Sequence, residues 1–236
     1  MSNHSRTSRR AVLKAGAGIM LAGSGVIRSR PARASTRLRV LLNFFPEASH
    51  GYLYQAVATG IYDKAGLDVE IRPGGPQVNG MQLLGGVIES EPYNLRRAGV
   101  DVKAFLLAHD GYPPYGYPLI AMQGFISGNR DVVQRFVRAS LEGWKSYLAE
   151  PTPGLTLLKA ARPEATDDWN TYSVNLIKSL KLVDGGDAQQ QGIGIMTDER
   201  WKKLADLLIE VGVIKPTTDW KAAYTTEFVK GLGMTL

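Results

Sequence analysis

The chain has 236 residues, 44% of them hydrophobic, which is enough for one sizeable domain or two small ones and excludes a globally disordered chain. Its formal charge of +6 does not signal nucleic acid, because seven basic residues and no acid fall within residues 1–34, leaving 21 basic against 22 acidic residues elsewhere. With no cysteine in the chain, disulfides, thiolate metal sites and cysteine nucleophiles are excluded.

Residues 1–34 carry the three parts of an export signal in order. Ser8-Arg9-Arg10-Ala11-Val12-Leu13-Lys14 is a basic segment, Ala15 to Ile27 is apolar but too short to span a bilayer, and Pro31-Ala32-Arg33-Ala34 offers small residues before a cleavage point. The paired Arg9-Arg10 resembles a twin-arginine signal, which exports folded proteins, so a periplasmic location is expected. No later stretch is long and apolar enough for a membrane span.

From Arg37 to Asn43 a short apolar run bounded by charge and Pro46 predicts a buried strand. After Gly51, apolar residues Leu53, Ala56, Val57 and Ile61 recur at helical spacing, with Gly60 and Gly66 as stops. Leu67 to Arg72 alternates as a second strand, Pro73 to Pro76 breaks it, and Val78 to Leu84 predicts a short helix. This alternation is the mark of a parallel sheet with crossover helices. A minimal strand follows at Val87-Ile88, a helical turn or two at Pro92 to Arg97, and another strand at Val102 to Ala108. Beyond the Tyr/Pro/Gly loop at 109–118 the pattern is helical. Asn129 to Glu150 presents Val133, Phe136, Val137, Leu141, Trp144 and Leu148 on one face, with Ser127 or Asn129 as caps. Thr166 caps a helix through Leu182, Thr197 caps a third, and Trp220 to Leu232 is expected as a last one.

The chemistry concentrates near the end of the first strand. Asn43, Phe45, Glu47 and His50 stand where a strand hands over to a helix, a common ligand position in α/β folds. A planar ligand wants an aromatic face and a few orienting polar groups, yet Glu47 and His50 serve equally well as caps. The glycine turn before Asn79 offers backbone amides but lacks the residues of a nucleotide loop. Glu89, Glu91 and Tyr93 follow the minimal strand, and Tyr112, Tyr115 and Tyr117 either rim a pocket or pack a turn. Three scattered histidines argue against a metal site, and no nucleophile elbow is present. No cofactor is called for.

The run LNFFPEASHGYLYQAVATGIYDKAGLDVEI, with GGPQVNGMQLL, Glu-Pro-Tyr at 91–93 and GIGIMTDERW, resembles periplasmic solute-binding proteins of ABC importers, in the branch for thiamine-pyrimidine precursors and its nitrate, sulfonate and taurine relatives. The resemblance implies a type II periplasmic-binding α/β fold with a helical C-terminal half, and a monomer that delivers a small ligand to importer membrane subunits. It departs from the family between Gly86 and Val87, where about a domain's worth of sequence is missing, so residues 35–236 are expected to form a single lobe with the second lobe largely absent. The resemblance tips His50 towards ligand contact and assigns Glu91 to a ligand amine; Asn43, Phe45, Glu47, Asn79, Tyr93 and Tyr115 complete the expected ligand set. Two alternatives stand beside this non-catalytic reading. One is a thiamine-pyrimidine synthase-like enzyme, which the missing cysteine-rich motif disfavours, and the other is a truncated, non-binding interaction domain.

Overall fold

The computed structural model describes residues 35–74, 88–104 and 106–236, which fall in one unit, Ala34–Leu236. Strand β1 (Thr36–Leu41) pairs in parallel with β2 (Leu67–Arg72), in a register running from Thr36 opposite Leu67 to Leu41 opposite Arg72. Between them the chain forms a 3₁₀ turn (Ala48–His50), helix α1 (Gly51–Ala58) and the short α2 (Ile61–Lys64). A parallel pair needs such a crossover, because a two-residue hairpin cannot reverse the chain. The fold is therefore mixed α/β, with a small parallel sheet and many helices, and is compatible with a periplasmic-binding-like architecture. β1 is not buried on both faces as its apolar run suggests. Thr36, Leu38 and Val40 are half-buried while Arg37, Arg39 and Leu41 are exposed, since successive side chains point to opposite faces and one face lies in solvent.

The helices that follow are α3 (Glu91–Arg97), α4 (Gln123–Gly128), α5 (Arg130–Ala149), α6 (Thr152–Ala161), α7 (Asp167–Ser179), α8 (Ala188–Gln191) and α9 (Asp198–Glu210). Thr166 accepts a hydrogen bond from the Trp169 amide and Thr197 one from the Arg200 amide, so both helix starts are capped as the sequence indicates. Asn129 precedes α5, but its side chain donates to the Phe125 carbonyl instead of capping.

Helix α1 is the centre of the core and is buried from Gly51 to Ala56. Two glycines let other helices reach it. A Cβ on Gly143 of α5 would stand 2.5 Å from the Tyr52 carbonyl oxygen, and one on Gly154 of α6 would stand 2.8 Å from Gln55 Oε1. Only a residue without a side chain permits such approach of backbones. Across the first crossing Tyr52 stacks on Trp144 at 4.5 Å. Gln55 ties all three helices together: its amide nitrogen donates to Ser146 Oγ (2.9 Å) and the Glu150 carbonyl (2.8 Å), and its oxygen accepts from the Gly154 amide (2.7 Å). A buried amide with its bonds made is specific as well as stabilising. Helix α6 had no place in the sequence expectation.

Two expected elements do not form among the described residues, and the described half of a third does not extend a strand. Ile88 lies in a turn, and Val102 to Ala108 has no ladder partner among the described residues, giving way to a 3₁₀ turn at Leu107–Asp110; an apolar run becomes a strand only where a neighbour takes its backbone bonds. Trp220 to Leu232 holds only the 3₁₀ turn Trp220–Ala223, because β-branched Thr225 and Thr226 and the left-handed Gly231 oppose a longer helix. The expected helix Val78 to Leu84, residues 1–34, Asn79, Val87 and the 86–87 join lie outside the described residues.

Candidate functional site

The turn after β1 buries two titratable groups. The Glu47 amide donates to His50 Nδ1 at 3.3 Å, so that nitrogen carries no proton, and His50 Nε2 meets Asn43 Oδ1 at 2.9 Å as the ring's donor. Burial, aided by the Arg162 charge, holds the His50 pKa down at about 4 and the imidazole neutral. Glu47 is 7% exposed and accepts from Ser49 Oγ at 3.2 Å. Burial first, then the nearby Glu89 carboxylate, push its pKa up to about 7, against the opposing pull of Ser49 and Arg162. Asn43, Glu47 and His50 thus form one bonded group, with Asn43 at its exposed rim.

The second wall comes from the start of α3. The Glu89 carbonyl accepts from Trp169 Nε1 (3.2 Å) and Ser173 Oγ (2.7 Å), which fixes this turn against α7. The Glu89 carboxylate accepts from the Tyr117 hydroxyl. Burial raises the Glu89 pKa, the Tyr117 bond lowers it, and Glu91 raises it further. Burial, then Glu89, drive the Tyr117 hydroxyl well above its ordinary range, while a bond with Ser49 pulls the other way. Tyr117 consequently links the Glu47 turn to the Glu89 turn. Glu91 opens α3 and accepts from Ser90 Oγ at 2.7 Å. Tyr93, two residues on, stacks parallel to Trp169 at 6.3 Å.

Arg162, at the end of α6, completes the arrangement. Its guanidinium lies 5.4 Å from the Phe45 ring centre and 4.7 Å from that of Trp169, donates to the Pro46 carbonyl at 3.2 Å and comes within 4.0 Å of Glu47. Aromatic faces and three carboxylates therefore converge, with one guanidinium filling the space over the rings. Such a set can stack a planar group and accept several N–H donors. Two open clefts among the described residues lie beside this cluster or away from it. One, of about 460 Å³, lies between α6 and α7 and is lined by Thr152, Thr156, Lys159 and Asn170; the other, of about 210 Å³, is lined by Pro92, Leu95 and Lys103 with Glu91 at its edge. The electrostatics, not open volume, single out the carboxylate cluster.

Of the expected ligand set, Asn43, Phe45, Glu47, His50, Glu91 and Tyr93 come together around this cluster, and Asn79 lies outside the described residues. Tyr115 does not join them. Its hydroxyl donates to Asp187 at 2.8 Å and accepts from the Thr197 amide at 2.8 Å, beneath the Arg200 guanidinium, so it braces the start of α9. Tyr117, two residues away, holds the position beside the acids. Arg162, Trp169 and Ser49 carry no local signal of a site; Trp169 stands behind the Thr166 cap as one more helix residue, and only tertiary packing brings it to Glu89. Among the described residues no group of histidines and acids could hold a metal ion, and no helix is long and apolar enough to cross a membrane.

Comparison with known proteins adds two likenesses. Residues 83–153 match the family model described as NMT1/THI5 like. Over 147 residues the chain is 31% identical to the riboflavin-binding protein RibY of Chloroflexus aurantiacus, an alignment covering 62% of this chain and 42% of that protein. The chain thus spans less than half the length of the curated relative it matches. Together the two likenesses support a solute-binding protein family.

Proposed function

We propose that this protein is the exported solute-binding component of an ABC importer and holds a planar nitrogen heterocycle built on a pyrimidine ring. A thiamine pyrimidine precursor is one member of that class and the fused ring system of riboflavin, the ligand named for its relative, is another. The observation that carries the reading is the convergence of the buried Glu47 and Glu89 with Glu91 beside the Phe45, Tyr93 and Trp169 rings. The rings supply stacking area, worth about 0.5–1.5 kcal/mol per pair beyond burial, and the acids accept the ring's N–H donors. The lobe is of type II periplasmic-binding kind with most of its partner lobe missing; it is a monomer in the periplasm, reached through the twin-arginine signal, and docks on importer membrane subunits.

Calorimetry of the full chain with 4-aminopyrimidine, riboflavin, taurine and nitrate tests this. Heat from at least one heterocycle, abolished in Glu47→Ala, is expected, with none from the two anions. Heat from an anion alone would reassign the ligand class, and silence from every compound would leave the non-binding interaction domain as the better reading.

A further inference from the structure

Arg162 is held oddly for a structural arginine. Its flat guanidinium lies over two aromatic rings, Phe45 and Trp169, at 5.4 and 4.7 Å, with side-chain exposure of only 14%. Yet its approach to Glu47, the buried acid it faces, stops at 4.0 Å, beyond hydrogen-bond length. A buried guanidinium kept for stability would normally fork onto that carboxylate. Here its closer bonds go to the Pro46 carbonyl (3.2 Å) and to Glu164 (3.2 Å), and Glu164 is 66% exposed.

The backbone around Arg162 does not depend on its side chain. The residue follows the last turn of α6, its amide bonded to the Leu158 carbonyl and its carbonyl to the Ala165 amide. The side chain can therefore swing towards solvent with Glu164 as its partner there, without unwinding the helix. It would leave behind two aromatic faces, the Pro46 carbonyl and the Glu47 carboxyl.

We infer that Arg162 is a built-in occupant of the stacking position, which a planar cation with an N–C–N edge displaces on binding. This rests on the heterocycle reading above and narrows it to amidine-like rings, such as a protonated aminopyrimidine. The guanidinium is itself a planar N–C–N cation, so it displays the shape and charge the position takes. A ligand not tethered to α6 can move the remaining distance to Glu47 that Arg162 does not cover. Ser49, His50, Glu89, Glu91 and Tyr117 are the other polar groups around that carboxyl.

The test compares the full-length protein with Arg162→Ala and Arg162→Lys, each checked for native circular dichroism. Methylguanidinium is titrated by calorimetry at pH 8, where Glu47, its pKa pushed up to about 7, is ionised, and 4-aminopyrimidine at pH 6, where the protonated Glu47 can supply the ring proton. If Arg162 leaves the position vacant about a tenth of the time, its removal tightens binding of both probes roughly tenfold. A folded Arg162→Ala protein that binds methylguanidinium no better than the parent, or 4-aminopyrimidine more weakly, overturns the inference, the latter making Arg162 a ligand contact instead. Should Arg162→Ala fail to fold, Arg162→Lys, which keeps the charge but cannot stack as a plane, is held to the same criterion. Methylguanidinium entering Arg162→Ala while no heterocycle binds either protein upholds Arg162 as the occupant and overturns only the heterocycle reading.

Discussion

Glu47 and His50 sit three residues apart in one buried turn and are displaced from their ordinary pKa values in opposite directions, which makes their substitution a sharp test. Glu47 moves from 4.5 up to about 7. Between those values the folded protein holds a proton that the unfolded chain has released, so its contribution to stability is full below pH 4.5 and is lost as pH rises to about 7. His50 moves from 6.5 down to about 4. There the unfolded chain binds the extra proton, so the His50 contribution is full above pH 6.5 and is lost as pH falls to about 4. Each displacement corresponds to about 3 kcal/mol, and over pH 4.5–6.5 the two slopes oppose each other. Urea unfolding of the parent, Glu47→Gln and His50→Gln at half-unit steps from pH 4 to 8 measures this. The stability of the parent minus that of Glu47→Gln should fall by about 3 kcal/mol between pH 4.5 and 7. The same difference for His50→Gln should rise by a similar amount between pH 4 and 6.5. Differences that do not vary with pH would refute the assignment of a protonated Glu47 beside a neutral His50.

Gln55→Ala should cost about 3 kcal/mol in urea unfolding, because it strands the Gly154 amide and opens a void among three helices. Gly143→Ala forces a Cβ to within 2.5 Å of the Tyr52 carbonyl and should cost about 1–3 kcal/mol, whereas Gly124→Ala, in α4 with nothing within 4 Å of the added carbon, should gain roughly 0.5–1 kcal/mol; equal effects would refute the packing argument. Tyr117→Phe removes a hydroxyl donor from Glu89 and should raise the Glu89 titration midpoint in carboxyl NMR, while Tyr115→Phe should leave that midpoint unmoved and lower the thermal midpoint. Thr166→Ala should destabilise by about 1 kcal/mol through loss of the α7 cap, visible as earlier thermal unfolding.

What could be read along the chain was whatever local chemistry decides. An apolar run bounded by charge gave β1, period two gave β2, helical spacing with Gly60 as a stop gave α1, and the threonines before Asp167 and Asp198 located the starts of α7 and α9, because a cap and a period act within a few residues. The gathering of Asn43, Glu47 and His50 was legible for the same reason: eight residues hold all three. Tertiary structure decided what depends on partners distant in sequence. Val102 to Ala108 is apolar enough for a strand but lacks a neighbour among the described residues, and β1 buries only one face. Of two tyrosines equivalent by sequence, Tyr115 went to Asp187 and Tyr117 to Glu89. Burial is what lifts Glu47 and lowers His50, and burial is a property of the whole packed unit. Arg162, separated by more than a hundred residues from the Pro46 carbonyl it binds, reaches the aromatic faces only because Gly143 and Gly154 let α5 and α6 close on α1.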